Sequence, residues 1–217
     1  MITSKAVIQK RKKSIFDLED TKKSSENIEN NLETGDLVFV SYNNTLGYFM
    51  RGWMGSAWTH VGMIMKHENK LYVMETADYS SIKSSTKNQI KDLPKNNGIL
   101  VIPFETWKSL NKKHTITYKQ LQTPENFDRR VLIREFLKIQ EAKLDTFSVG
   151  MNIWSKYIWR RRYKKSNQKK SNITCSELIA KIYQSTAVIK KKYDPGSYYT
   201  KDFIENTIEM EPGFKLI

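Results

Sequence analysis

The chain has 217 residues, about one domain with a tail, and its 39% apolar and 12% aromatic residues exclude a wholly disordered protein. Lys and Arg number 37 against 23 Asp and Glu, and the resulting net charge of +14 makes nucleic-acid binding the first reading to test. A lone cysteine excludes an internal disulfide and fits a reducing compartment. No apolar run approaches the roughly 18–20 residues of a membrane span, and the basic start, Met1 to Asp20, lacks the continuous apolar stretch of a secretory signal.

In chain order, residues 1–33 are polar and weakly periodic and read as a tail, followed by a single domain over 34–217. Thr34-Gly35-Asp36 reads as a turn, and Leu37-Val38-Phe39-Val40 as a buried strand. A glycine- and aromatic-rich connection runs from Asn43 to Trp58. Strands are expected over Thr59 to Lys66 and Lys70 to Ala77, joined by a hairpin turn at His67-Glu68-Asn69-Lys70. A strand from Ile99 to Pro103 leads through a loop to another over His114 to Tyr118. Thr123-Pro124-Glu125 carries the signals of a helix start, and Phe127, Val131, Leu132, Phe136 and Ile139 then recur at helical spacing to about Ala142. Another helix is expected from Cys175, and Pro-Gly turns flank Phe203-Ile204 before a short final strand. Strands and helices in separate runs argue for an α+β fold with an antiparallel sheet.

The segment Asn172 to Ile179 carries the most chemistry. Thr174 followed three residues later by Glu177 is a capping box, which puts Cys175 at the first helical position. A thiol there lies among free backbone N–H groups at the positive end of the helix dipole, which lowers its pKa and favours the nucleophilic thiolate. The same N–H groups can hold an oxyanion in acyl transfer. Against this stands the ordinary role of a lone cysteine as a small buried hydrophobe. For a base, His67 falls in the turn and His114 beside two lysines, both read as solvated, which leaves His60. With Glu68-Asn69 at the hairpin tip, His60 opposes Ala77 and Gly62 opposes Glu75. His60 and Glu75 then share a face as diagonal neighbours, the geometry of a carboxylate orienting an imidazole. A slip of one residue would reverse one strand's faces and remove the pairing. One cysteine and three scattered histidines give no pair at ligand spacing, so neither a metal nor another cofactor is expected.

Five elements in this order resemble the permuted branch of the NlpC-type papain-like hydrolases, which includes YiiX-like bacterial proteins, relatives of lecithin:retinol acyltransferase and proteins of large DNA viruses. They are Thr34 to Phe39, Thr59-His60-Val61-Gly62-Met63-Ile64, Leu71 to Thr76, Thr174 to Ile179, and the stretch from Asp194-Pro195 to Asp202-Phe203. Leu144-Asp145-Thr146-Phe147 also resembles a short family segment. The similarity spans roughly residues 34–205. It implies a circularly permuted papain-like fold, with an antiparallel sheet packed against the cysteine-bearing helix. It also implies Cys175 as nucleophile, His60 as general base and Glu75 as the residue that orients it. The reaction would be cleavage or transfer of an acyl group at an amide or ester through a thioester, on a peptide or lipid substrate. An intracellular or virion-associated protein is then expected.

The charge is concentrated. Between Lys156 and Lys170 lie eight basic residues and no acidic one. The segment 151–170 reads as a basic insertion in which Ile153, Trp154, Tyr157 and Ile158 fall at helical spacing. Trp154 with Arg160, Arg161 and Arg162 suits substrate approach or an anionic membrane surface. Single-stranded nucleic acid is the weaker reading, and a solvated loop with core-packed aromatics is the bland one. The alternative to an enzyme is a non-catalytic binding module of the same fold that engages anionic membrane or nucleic acid through this segment.

Overall fold

The computed structural model describes Glu29 and residues 31–77, 98–139, 143–144 and 172–217. The basic segment with Trp154, Arg160, Arg161 and Arg162 lies outside the described residues, as does Met1 to Ile28.

The opening turn forms where expected. Gly35 has φ 98°, in the left-handed region that favours glycine, and a Cβ there would lie 2.5 Å from Leu132 Cδ1. Asp36 is buried because its carboxylate closes the turn. Oδ2 accepts the Glu33 N–H at 2.9 Å, Oδ1 accepts the Leu121 N–H at 2.9 Å, and Arg129 Nη1 lies 3.3 Å from Oδ1. Strand β1, Leu37–Ser41, follows and is buried throughout. The packed unit starts earlier than the 1–33 tail allowed. Leu32 is buried, and Glu29 accepts from Tyr118 Oη at 2.7 Å and pairs with Lys108 at 2.6 Å.

The connection expected over Asn43 to Trp58 is largely a helix, α1, Thr45–Met54. Asn44 caps it by accepting the Gly47 N–H at 2.7 Å, and Gly55 ends it at φ 59°. Strands β2, His60–His67, and β3, Lys70–Ala77, form the predicted hairpin. Glu68 and Asn69 both have positive φ, as a two-residue hairpin turn requires, and this fixes the pairing of His67 with Lys70 and of Met63 with Met74.

Strand β4, Gly98–Pro103, pairs with β3, and the expected loop after it is helix α2, Phe104–Asn111. Next come β5, Thr115–Lys119, and the short β6, Leu121–Gln122. Helix α3 covers Arg130–Ile139 and does not begin at Thr123. Thr123-Pro124-Glu125 instead leads into a turn closed by the Phe127 N–H on Pro124 O at 3.0 Å, and Asp128 Oδ1 accepts the Arg130 N–H at 3.0 Å where the helix starts. Strands β7, Lys143–Leu144, and β8, Asn172–Ile173, precede helix α4, Cys175–Ser185. A 3₁₀ turn, Pro195–Ser197, helix α5, Thr200–Ile204, and strand β9, Lys215–Leu216, complete the chain.

Among the described residues the main sheet has seven strands in the order β5-β1-β2-β3-β4-β7-β8. Its pairs are antiparallel except β7 with β8, and β6 pairs with β9 in a separate ribbon. The fold is α+β, as expected from the sequence. Alternation along the strands builds two cores, one on each face. Leu37, Phe39, Val61, Met63 and Met74 meet Leu178, Ile179 and Ile182 of α4. Val38, Val40, Ile64 and Val73 meet Phe104 and Trp107 of α2 on the other side. At about 1.5–3 kcal/mol per buried side chain, these two layers hold the helices to the sheet. Among the described residues no helix is long and apolar enough to cross a membrane.

Candidate active site

Alternation along β2 puts His60 and Gly62 on the face of Ile64, and alternation along β3 puts Glu75 on the face of Val73. Gly62 pairs with Val38 of β1, and a Cβ there would lie 2.7 Å from Val73 Cγ1 and 3.2 Å from Val38 Cγ2. A glycine at this position lets three strands close up beside His60. The imidazole and the carboxylate meet as the hairpin register predicts, with His60 Nε2 2.7 Å from Glu75 Oε2. Both are buried, at 7% and 2% exposure.

Glu75 holds a second donor. Trp107 of α2, fully buried, donates its indole N–H to the same Oε2 at 2.8 Å. With Nε2 committed to Glu75, Nδ1 is the remaining ring nitrogen of His60. The imidazole also neighbours the side chain of Cys175, and each of the two shifts the acidity of the other.

Cys175 stands at the start of α4, as the capping pattern predicts. Thr174 is the N-cap, and its hydroxyl accepts the Glu177 N–H at 3.3 Å. The reciprocal half of the capping box is replaced by an ion pair along the helix, Glu177 with Lys181 at 3.3 Å. Buried Ser176 donates to Tyr198 O at 2.8 Å and ties the first turn to the C-terminal segment. Cys175 is half-buried, and the backbone N–H groups of Val61 and Ser176 favour its thiolate.

The electrostatics follow from this packing. Burial pushes the Cys175 thiol up, but the His60 charge, its hydrogen bond and the two backbone N–H groups outweigh burial and hold the thiol below the usual cysteine value. Burial also disfavours the imidazolium of His60. The anionic partners beside the ring, Cys175 and Glu75, outweigh that cost and raise His60 well above the usual histidine value. Both shifts favour a thiolate–imidazolium pair.

Tyr42 and Trp107 are the neighbours that sequence reasoning missed. The Tyr42 ring centroid lies 6.1 Å from that of His60, and the ring packs at right angles to His114 with centroids 4.9 Å apart. Its backbone N–H donates to Thr59 Oγ1 at 3.2 Å, while the Thr59 hydroxyl donates to Val40 O at 3.1 Å, so the residues beside His60 are laced to the end of β1. His114 is not simply solvated: its Nδ1 accepts the Asn43 N–H at 3.1 Å. His67 is exposed, as expected. No short-range pattern announces Tyr42 or Trp107, because both reach the site through tertiary contacts from separate elements. Among the described residues no group of three or more His, Cys, Asp and Glu side chains could hold a metal ion.

No family model matches the chain. It is 34% identical over 99 residues to the uncharacterized protein R372 of Acanthamoeba polyphaga mimivirus, a match covering 42% of this chain and 39% of that protein. The chain thus spans about two fifths of the length of the curated relative it matches. Its structure is similar to the crystal structure of the metalloprotein yiiX from Escherichia coli O157:H7, at 14% identity and a TM-score of 0.47, over 85% of this chain and 96% of that one.

Proposed function

We propose that the chain is a cysteine-dependent hydrolase or acyltransferase of the circularly permuted papain-like, NlpC-type kind, acting on an amide or ester of a peptide or lipid. The observation that carries this reading is the imidazole of His60, bound to Glu75 at 2.7 Å and acting through its charge on a thiol at a helix N-terminus.

The thiolate of Cys175 attacks the substrate carbonyl carbon, forming a C–S bond and moving the carbonyl π pair onto oxygen. In this reading the positive end of the α4 dipole stabilises that oxyanion. His60 gives its proton to the leaving amine or alkoxide as the C–N or C–O bond breaks, and a thioester on Cys175 remains. His60, now neutral, takes a proton from water or another nucleophile, which attacks the thioester and returns the thiolate. Glu75 keeps Nε2 as a donor throughout and compensates the charge on the ring.

An acyl-type thiol-reactive probe tests the reading, with intact mass and peptide mapping as the readout. Labelling is expected at Cys175, strongly reduced in His60→Ala. Labelling indifferent to His60 counts against the mechanism.

A further inference from the structure

We infer that Trp107 is a positioning residue whose indole N–H pins the Glu75 carboxylate in the orientation that holds His60, and thereby sets the pH range over which Cys175 is nucleophilic. The inference rests on the function proposed above and adds a further member to its hydrogen-bonded chain.

Trp107 lies on α2, on the sheet face opposite the cysteine helix, yet it touches the chain of interactions that ends at the sulfur. Two donors converge on one carboxylate oxygen, the indole at 2.8 Å and the imidazole at 2.7 Å. A carboxylate oxygen has lone pairs for both, and two fixed donors leave the group little freedom to turn. The indole itself is locked, because Trp107 is fully buried and its ring stacks on Phe104 at 14° between planes. Its carbonyl accepts from Asn111 Nδ2 at 2.9 Å.

A tryptophan is not required merely to fill this site, since a phenylalanine also suits an apolar layer. The indole N–H is what distinguishes it, and a buried indole N–H ordinarily has a partner. Here the partner is the carboxylate that orients the imidazole. A fixed neutral donor stabilises the anionic carboxylate without competing for the proton of His60. The acidic groups facing His60 are Glu75, Tyr42 and Cys175. The nearest cation on α2, Lys108, is engaged by Glu29 at 2.6 Å.

The test is the pH dependence of iodoacetamide alkylation of Cys175, measured on the full chain. Wild type is expected to show an acid limb below the ordinary cysteine range of about 8.5, and His60→Ala to lose it. Trp107→Phe removes the donor while keeping an aromatic ring. It is expected to move the acid limb up by about one pH unit, an approximately tenfold slower reaction at a pH on the limb, the size expected for one hydrogen bond to a charged group. Benzothienylalanine at position 107, which exchanges N–H for sulfur at nearly constant shape, makes the same test if the phenylalanine variant does not fold. Acid limbs that superimpose for wild type and the Trp107 variants, with His60→Ala still shifted, overturn the positioning role and leave the proposed function standing. A wild type without the depressed limb overturns both.

Discussion

Removing the charge of Glu75 without changing its shape probes the site's electrostatics most sharply. In Glu75→Gln the amide oxygen can still accept from Trp107, so the core of β3 and α2 is retained while the negative charge 2.7 Å from His60 is lost. An opposite charge at such a distance is worth about 1–3 pKa units to the group it faces, or roughly 1.4–4 kcal/mol. The sign is definite for each partner. His60 sits above the usual histidine value, and losing the carboxylate lowers it, so the imidazolium is lost at lower pH. Cys175 sits below the usual cysteine value partly because of that imidazolium, so its thiolate forms only at higher pH. The bell-shaped pH profile for acylation of Cys175 by an ester probe should therefore narrow from both sides, with a maximal rate lower by about ten- to a thousandfold. A profile of unchanged width in a folded Glu75→Gln variant would mean that the carboxylate does not support the pair.

The other predictions concern the scaffold and the charge. Gly62→Ala drives a Cβ to 2.7 Å from Val73 Cγ1 and should cost about 1–3 kcal/mol, read as a lower Tm, with slower labelling of Cys175 because the strand under His60 must shift. Asp36→Ala strips two backbone N–H groups and Arg129 of their acceptor and should destabilise by about 3 kcal/mol in denaturant unfolding; a loss under 1 kcal/mol would show that the turn is held by other contacts. Replacing Arg160, Arg161 and Arg162 together by Gln should weaken salt-sensitive binding to anionic vesicles by about 3 kcal/mol, at about 1 kcal/mol per basic residue, while leaving the labelling of Cys175 unchanged. Vesicle binding that is absent in wild type, or indifferent to these three residues, would remove the basic segment from the account.

The parts of this molecule that were legible in its sequence are those specified locally. The β2–β3 hairpin could be placed to the residue because a two-residue turn at Glu68-Asn69 determines the register, and the register alone brings His60 and Glu75 together. The Thr174 cap likewise depends on its own helix and could be read directly. What escaped depends on tertiary partners. Gly47 resembles a helix breaker, yet it lies within α1 because a Cβ there would sit 2.0 Å from Tyr42 O; the glycine serves close packing and not a loop. Helix α2 carries no side-chain cap, since Pro103 occupies its N-cap, so nothing local marked its start. Thr123-Pro124-Glu125 imitates a helix start, but the chain turns there and the helix waits for Asp128. Leu32 looked like part of a polar tail because one apolar residue has no periodicity to reveal its burial. Trp107 and Tyr42 carried no motif, and only the folding of α2 and the end of β1 against the hairpin brings them to His60.

The +14 charge pointed first to nucleic acid, whereas the proposed chemistry rests on three residues, of which the single cysteine is the easiest to observe. Because Cys175 is unique, the ultraviolet thiolate absorbance of the protein reports that one sulfur. The most direct measurement is its pH titration in wild type, with Cys175→Ser as the blank and His60→Ala alongside. Thiolate is expected in wild type well below the ordinary cysteine range of about 8.5, and displaced to or above that range without His60. A wild-type titration at the ordinary value, unaffected by His60, would show that Cys175 and His60 do not form a thiolate–imidazolium pair.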